Sequence, residues 1–338
     1  MIETVKTLCA LNGVSGSEDA VRDYILTRVM PYADKIDTDA MGNVLVFKKG
    51  AKDAGKIMLA AHMDEVGLII THITDEGYLK FSAVGGIDRR VLLGKKVFIG
   101  EKALPGIIGV RAIHLVSAEE EKKSPAIDEM YIDIGAPDRD AALKLVSPGD
   151  VAAFEGSVYE YGDGWIKAKA LDDRMGCAIM IKLIESNLPC DTWFAFTVQE
   201  EVGVRGAATA AYALAPDTAI VIEGTTAADF PSVSGEKRIT ICGDGAVISL
   251  MDGGAIYDRK LFAAIRDTAD KNGIKWQIKS RVAGGTDAAA IQRAGAGVTV
   301  GGLSLPVRNI HSPTSHAKIS DIEAIYALIT KYLEEYSA

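Results

Sequence analysis

The stretch at residues 192–207, "TWFAFTVQEEVGVRGA", is an apolar run that ends in two adjacent acids and continues into a glycine-containing helix start. A short uncharged run with such boundaries is typical of a buried strand in an α/β sheet. In open α/β sheets, functional groups collect beyond the carboxyl ends of the strands. Glu200 and Glu201 therefore lie where such a fold places its chemistry.

The same pattern, an ionisable side chain at the end of an apolar strand, recurs along the chain. In "AAHMDEVG" (60–67), His62 and Asp64 are two residues apart at a strand end, so both side chains point to one face. Three further stretches repeat the placement: "KALDDRMGCA" (169–178) with Asp172 and Asp173, "AIVIEGTTAADFP" (219–231) with Glu223, and "LPVRNIHSP" (305–313) with His311.

Each of these stretches also has an ordinary structural explanation. His62 and Asp64 could form a satisfied polar pair, and an aspartate of the Asp172–Asp173 pair could cap the following helix. Together, however, the five strand ends supply two imidazoles and several carboxylates to one sheet. That set suits one or two Zn²⁺, Co²⁺ or Mn²⁺ ions, so the sequence predicts a metal site.

The order of predicted elements divides the chain. Strands and helices alternate in residues 1–67 and 165–338, which predicts an α/β domain whose mixed sheet is flanked by helices. Residues 68–164 instead contain short strands with glycine turns, the last of them in "SVYEYG" (157–162), and predict an inserted β-rich domain. Capping-box spacing predicts helix starts at Ser15 with Glu18 and at Ser320 with Glu323.

Composition limits the partners and the compartment. The 338-residue chain has a formal net charge of −9, which argues against a phosphate-binding surface and hence against nucleic acid. Its four cysteines form no CxxC pair, and we interpret them as reduced thiols of a cytoplasmic protein. The amino terminus reads as a helix and not as a signal peptide, and no apolar run is long enough to predict a membrane span.

In these motifs and in their order, the chain resembles the M42 family of co-catalytic metallo-aminopeptidases, the group of tetrahedral and glutamyl aminopeptidases. The resemblance extends over nearly the whole chain, and "KKVFIGEKALPGIIGVRAIHL" (95–115) is similar to the PDZ-like domain inserted in that family. It implies a zinc-peptidase-like catalytic domain, two divalent ions per chain and short peptides with a free N-terminus as substrates. It also implies homo-oligomers, from dimers up to a tetrahedral dodecamer.

The resemblance also implies residue roles. His62 and His311 would each bind one ion, with Asp172 as the bridging ligand; Glu201 and Glu223 would complete the metal set. Glu200 would be the general base for the water that the ions bridge, and Asp64 would orient His62. Asp173 would act through its backbone or support the ligands, and the Asp172–Asp173 peptide would be cis. Since neighbouring residues of a strand point to opposite sides, separate roles for Glu200 and Glu201 are also physically reasonable.

Substrate-binding residues are less determined. The resemblance places Asp287, in "AGGTDAAAIQ" (283–292), near the substrate pocket, although a glycine-rich helix cap is the alternative. Arg281 and Arg308 could read an acidic substrate side chain through a fork contact, or could be surface or structural arginines. We interpret His72, His114 and His316 as structural.

Two other functions compete with a peptidase. A glycosidase would need two carboxyl groups but no imidazole–metal set. A non-enzymatic scaffold would bind peptides by strand addition to the inserted domain and would leave the acidic strand ends unexplained. The sequence does not choose between acidic, aliphatic and broad preference for the N-terminal residue, nor does it choose the ion.

Overall fold

A computed structural model describes residues 1–282 and 284–336, and its centre is an eight-stranded mixed sheet. Numbered in chain order, the strands follow one another across the sheet as β1 (Lys35–Thr38), β2 (Val44–Lys48), β12 (Cys190–Thr197), β3 (Lys52–His62), β13 (Thr218–Thr226), β16 (Thr299–Val307), β14 (Ala246–Ile248) and β15 (Trp276–Ile278). The four neighbours β12, β3, β13 and β16 run parallel, whereas β1, β2 and β14 add antiparallel pairs.

Helices cover both faces of this sheet. One apolar core joins it to α1 (Ile2–Ala10), α2 (Asp19–Val29), α5 (Leu171–Ile184), α7 (Arg259–Lys271) and α9 (Ile319–Tyr336). A second core joins the other face to α6 (Arg205–Leu214) and α8 (Ala288–Ile291). The helix-flanked mixed sheet expected from the sequence is thus confirmed. Within residues 1–282 and 284–336, no helix combines the length and apolarity needed to cross a bilayer.

The alternating direction of side chains along β3 explains why the sheet has an apolar core on each face. Ile57 and Leu59 of β3 belong to the core with α5, whereas Met58 and Ala60 belong to the core with α6. Successive side chains of a strand point to opposite faces, and this strand is apolar on both. From residue 57 to residue 61 this strand carries only apolar side chains, and the polar side chain at its carboxyl end is His62.

The inserted segment forms a separate antiparallel barrel with its own apolar core. Two short helices, α3 (Ala118–Glu121) and α4 (Arg139–Leu143), lie between its strands in sequence. The closed strand order is β4 (Gly67–Ile73), β5 (Leu79–Val84), β8 (Tyr131–Asp133), β7 (Leu104–Gly109), β6 (Lys96–Ile99) and β9 (Val151–Phe154). Six antiparallel strands thus confirm a β-rich insertion, while the PDZ-like label and the domain boundaries stay predictions.

One strand expected in the insertion lies elsewhere. β10 (Tyr159–Tyr161), from "SVYEYG", pairs with β11 (Trp165–Ala168), which also pairs with β17 (Ser315–Lys318). A tight turn explains why β10 pairs with β11 and not with the barrel. Gly162 and Gly164 have φ values of 52° and 63° and fold β10 back onto β11. The small sheet places the start of α5, with its two aspartates, beside the chain that precedes β17 and carries His311.

Both predicted capping boxes are wrong. α2 begins at Asp19, and the Ser15 hydroxyl donates to Asp64 at 2.6 Å instead of capping the helix. Glu18 accepts the backbone N–H groups of Gly16 and Gln199. Ser320 lies inside α9, which begins one residue earlier. In the first case, partners distant in sequence outcompete the local cap.

Candidate active site

Three neighbouring parallel strands bring their carboxyl ends to one edge of the sheet. His62, the last residue of β3, pairs with Thr197, the last residue of β12. Glu223 lies near the end of β13, on the other side of β3. The convergence of strand ends expected from the sequence therefore brings these side chains to one place.

The carboxylate of Asp172 lies between the two imidazoles. Its Oδ1 is 3.6 Å from Nε2 of His62, and its Oδ2 is 3.3 Å from Nε2 of His311. Each imidazole also faces a glutamate: Nε2 of His62 is 3.0 Å from Oε1 of Glu223, and Nε2 of His311 is 3.4 Å from Oε2 of Glu201. The result is two groups of possible ligands that share one aspartate.

These groups have the spacing of metal ligands. A tetrahedral ion with bonds of about 2.0–2.2 Å keeps its ligand atoms roughly 3.4 Å apart, close to the separations of 3.0–3.6 Å at His62 and His311. Oε2 of Glu223 is buried and has no hydrogen-bond partner among the described residues, as expected of an oxygen reserved for a cation. The residues present therefore fit one or two divalent ions.

The protonation equilibria of the site reflect its crowded carboxylates. Burial, reinforced by the charge of Asp172, raises the pKa of Glu201 to about 7 and also raises that of Glu223 well above its usual value. Burial opposes protonation of His62 and His311, but the surrounding carboxylates outweigh it. The pKa of His311 is consequently raised to about 9, and that of His62 is also raised. The ion-free site thus holds protons that cations would replace.

Asp64 connects the first imidazole to the loop of the two glutamates. Nδ1 of His62 lies 3.1 Å from the backbone oxygen of Asp64 and 3.4 Å from its Oδ1. The Asp64 carboxylate accepts the backbone N–H groups of Glu200 at 2.9 Å and Glu201 at 3.1 Å. Although burial works to raise the pKa of Asp64, hydrogen bonds from His62 and Ser15 lower it, so this acceptor stays ionised.

Glu200 and Glu201 follow the strand instead of belonging to it. β12 ends at Thr197, and Gln199 has a left-handed φ of 57°, so the chain turns before the two acids. The expected separation of their side chains therefore comes from a turn. Glu201 faces His311, whereas Glu200 lines an adjoining cavity, and burial with the charges of neighbouring carboxylates raises the pKa of Glu200 to about 9.

Asp173 holds the backbone around the site. Its Oδ2 accepts the N–H of His62 and its Oδ1 the N–H of Gly176, both at 3.1 Å. Gly176 is required there, because a Cβ would lie 2.5 Å from the Asp173 carboxylate. Asp173 also falls in a ligand-like group with His62 and Glu223, but backbone donors already use both of its oxygens. The Asp172–Asp173 peptide is cis, as the resemblance implied.

A cavity of about 270 Å³ adjoins the candidate ligands. Glu200, Glu223 and His311 line it together with Tyr257 and Lys279. Five hydroxyl-bearing residues also line it: Ser249, Ser304, Thr225, Thr226 and Thr286. It has the concave form and convergent polar groups of a ligand pocket.

Asp287, another residue singled out in the sequence, contacts the end of β12, the strand that pairs with His62. It is buried, its Oδ2 lies 2.5 Å from the Thr197 hydroxyl, and its side chain makes no capping bond to α8. Burial raises its pKa to about 6. Arg308 does not line the cavity, since its fork engages both oxygens of Asp229 at 2.6 and 2.8 Å. Arg281 is exposed and also lies outside the described cavity wall.

Sequence reasoning missed a buried charge cluster beneath the site. Oε1 of Glu65 lies 2.5 Å from Nζ of Lys169 and 3.3 Å from Nη2 of Arg174, and all three side chains are at most 2% exposed. The sequence did contain a signal for this cluster. Glu65 adjoins Asp64, and Lys169 and Arg174 flank the aspartate pair in "KALDDRMG". Lys279, in contrast, reaches the cavity only through tertiary folding.

A helix-flanked α/β sheet whose strand ends gather imidazoles and carboxylates in metal-ligand spacing is typical of metal-dependent enzymes. The model of the M42 glutamyl aminopeptidase family matches residues 42–328. The chain therefore belongs to the M42 family of aminopeptidases. This membership favours the peptidase over the glycosidase and over the non-enzymatic scaffold.

Individual relatives cover the whole fold. The chain is 39% identical to a putative aminopeptidase of Acetivibrio thermocellus, over 98% of each chain. It is 37% identical to the solved aminopeptidase APDkam598 of Desulfurococcus kamchatkensis, with a TM-score of 0.94 over 99% of this chain and 94% of that one. It is also 37% identical to the TET1 peptidase of Pyrococcus horikoshii, which can assemble into a tetrahedron or a large octahedral shell, with a TM-score of 0.86 over 98% of each chain.

Proposed function

We propose that this chain is a two-metal aminopeptidase that releases N-terminal residues from short peptides. The observation that carries the proposal is the Asp172 carboxylate, whose two oxygens face His62 and His311, each with its own glutamate. Asp172 would be shared by both ions. His62 and Glu223 would complete one set of ligands, and His311 and Glu201 the other. Zn²⁺, Co²⁺ and Mn²⁺ all suit these donors.

Bound ions would supply Lewis acidity, which favours the attack of water on a peptide carbonyl. Glu200 supplies the proton transfer. It lines the cavity beside the ligand groups but is not itself paired with an imidazole. The positive charge of bound ions would lower its raised pKa, so its carboxylate would then take a proton from the attacking water and pass it to the leaving amine. Asp64 holds the Glu200 backbone in place for this transfer.

The acidic side chains of the site suit a free N-terminus. Asp172, Glu200 and Glu223 all line the cavity, and an α-ammonium group carries the complementary charge. An N-acetylated peptide lacks that charge and adds bulk where the chain would begin. We therefore expect cleavage only next to a free amine.

We also propose that the chain forms homo-oligomers, as its Pyrococcus horikoshii relative does. The inserted barrel region supports this, because Ile113 and Leu115 expose 66% and 61% of their surface and Ile107 is half exposed. Such exposed apolar side chains are available for contacts with another subunit. Enclosure in a shell would admit only short peptides to the sites.

Hydrolysis of aminoacyl p-nitroanilides, with and without added Zn²⁺ or Co²⁺ and with chelator, tests the activity. We expect metal-dependent release from substrates with a free amine and none from the N-acetylated control. A folded sample that binds two ions and releases nothing from any free-amine substrate would overturn the proposed function.

A further inference from the structure

We propose that Glu18 and Ser15, in the segment before α2, are positioning residues for the turn at residues 198–201, which carries the proposed base Glu200 and the proposed ligand Glu201. This inference rests on the proposed aminopeptidase function and deepens its mechanism. Both residues lie outside the described cavity wall, so they would act on the reaction only through the turn.

Buried side chains from the first 64 residues accept all four backbone N–H groups of this turn. Asn43 accepts the N–H of Val198 at 2.9 Å, and Glu18 accepts that of Gln199 at 3.2 Å. Asp64 accepts the next two N–H groups, at 2.9 and 3.1 Å. The three acceptors are at most 4% exposed. Because these N–H groups bond side chains and not a neighbouring strand, the position of the turn depends on the acceptors.

The backbone conformation of the turn requires support from its surroundings. Gln199 has a left-handed φ of 57°, which is unfavourable for a residue with a Cβ. Such a conformation persists where contacts from other parts of the fold determine it. The N–H of Gln199 is the group that Glu18 accepts, so Glu18 acts on the strained residue directly before Glu200.

Ser15 supports the other acceptor of the turn. Its hydroxyl donates to Oδ2 of Asp64 at 2.6 Å, and the same oxygen accepts the N–H of Glu201. Oδ1 of Asp64 accepts the N–H of Glu200 and lies 3.4 Å from Nδ1 of His62. Donors on both oxygens restrict the rotation of the carboxylate, so the bond from Ser15 helps to keep the Asp64 oxygens directed at the turn.

The segment that carries Ser15 and Glu18 is itself attached beside the end of β3. The N–H of Glu65 donates to the backbone oxygen of Gly13 at 3.0 Å, and the N–H of Ser15 donates to that of Glu65 at 3.3 Å, so Val14 and Glu65 form a parallel bridge. Oε1 of Glu65, the acid of the buried charge cluster, also accepts the N–H of Gly13 at 2.9 Å. Ser15 and Glu18 therefore reach the turn from a backbone that is held in place.

Paired variants separate positioning from a general effect on stability. Glu18→Met removes the acceptor of the Gln199 N–H and should lower kcat by about 10–100-fold, whereas Glu18→Gln keeps an acceptor oxygen at the same reach and should stay within about threefold of the wild type. KM should change less than kcat, because the cavity wall is unaltered.

Ser15→Ala should lower kcat by about tenfold or more, and Ser15→Thr, which keeps the hydroxyl, should restore it. Ser17→Ala is the matched control, since Ser17 lies in the same segment and Asp64 accepts the hydroxyl of Ser15 instead. It should keep the wild-type kcat. All rates are measured with the aminoacyl p-nitroanilide that the wild type cleaves fastest.

Hydrogen exchange of the metal-free protein provides a readout that does not depend on activity. The backbone N–H groups of residues 198–201 should exchange about fivefold faster or more in Glu18→Met and in Ser15→Ala, as expected for the loss of one hydrogen bond. Exchange in β16, inside the sheet, should match the wild type. Glu18→Gln, Ser15→Thr and Ser17→Ala should exchange at wild-type rates in both regions.

The outcomes separate this inference from the proposed function. Absence of release from every free-amine substrate by the wild type would overturn the function, while the exchange rates would still decide whether Glu18 and Ser15 hold the turn. Release with unchanged kcat in Glu18→Met and Ser15→Ala, or unchanged exchange at the turn, would overturn only the positioning role. Equal losses of kcat in Glu18→Met and Glu18→Gln would do the same. Thermal unfolding identifies folded variants, and if Glu18→Met does not fold, the two Ser15 variants decide the question.

Discussion

The Asp64 carboxylate accepts the backbone N–H of Glu200 at 2.9 Å, which connects two parts of the chain that are 136 residues apart. Asp64 follows the end of β3, and Glu200 lies in the loop after the neighbouring strand β12. The second Asp64 oxygen accepts the N–H of Glu201. One buried side chain thus fixes the proposed base and one proposed ligand with respect to His62.

Asp64→Asn should weaken metal binding and also lower the catalytic activity. The new amide has only one acceptor oxygen, so one of the two loop N–H groups would face an NH₂ donor. Residues that support metal ligands typically change metal affinity or activity by about 10–100-fold when replaced. Calorimetric metal titration and kcat/KM measure the effect. Asp37→Asn, on exposed β1, is the control, and equal behaviour of the two variants would contradict the role of Asp64.

Glu200→Gln should retain its metal and lose most of its activity. The replacement keeps the shape of the side chain but removes its ability to carry a proton, and positioned acid–base groups contribute about 10²–10⁴-fold. Metal content by elemental analysis, measured beside kcat, separates the two properties. Glu201→Gln is the matched neighbour and should instead bind less metal, because Glu201 faces His311. An unchanged rate in Glu200→Gln would exclude Glu200 as the base.

His311→Ala should bind about one ion fewer than the wild type, because it removes the imidazole that faces Oδ2 of Asp172. Elemental analysis after dialysis against the metal measures the stoichiometry. His72→Ala, at an exposed position of β4 in the barrel, is the control and should keep the full content. Full stoichiometric metal in His311→Ala would remove His311 from the ligand set.

Much of the site could be predicted because it depends on strand ends, which are local features. His62 and Glu223 each follow a short apolar run that is typical of a buried strand, and parallel strands in an α/β sheet end at a common edge. The mixed sheet and the β-rich insertion follow from the same patterns. The resemblance then added the roles, which spacing alone left open.

Features that depend on contacts distant in sequence could not be predicted. Ser15 has the spacing of a helix cap, yet its hydroxyl meets Asp64, 49 residues away. Arg308 has the fork that an acidic substrate would need, yet Asp229 occupies it from 79 residues away. In both cases the local pattern was compatible with two partners, and only folding decided between them.

Metal binding should release protons and strengthen as the pH rises. Without ions, the pKa of the proposed ligand His311 is raised to about 9 and that of the proposed ligand Glu201 to about 7, so at pH 7 His311 holds a proton and Glu201 is about half protonated. A cation must displace the protons of its ligands, and its affinity therefore increases by about tenfold per pH unit for each proton released. Titration calorimetry in buffers of different ionisation enthalpy counts these protons. Affinity independent of pH between about 6 and 8 would contradict the prediction.

Glu65→Gln should lower the free energy of unfolding far more than the replacement of an exposed glutamate does. Glu65 is the acid between Lys169 and Arg174 in a cluster that is at most 2% exposed, and its loss leaves two buried cations without a counter-charge. Removal of one partner from a buried ion pair lowers the free energy of unfolding by about 3–5 kcal/mol. Urea unfolding of the metal-free protein measures the change without a contribution from bound ions. Glu119→Gln, at an exposed pair with Lys122, should change the free energy by less than about 1 kcal/mol, and similar values for both variants would show that the buried cluster does not stabilise the fold.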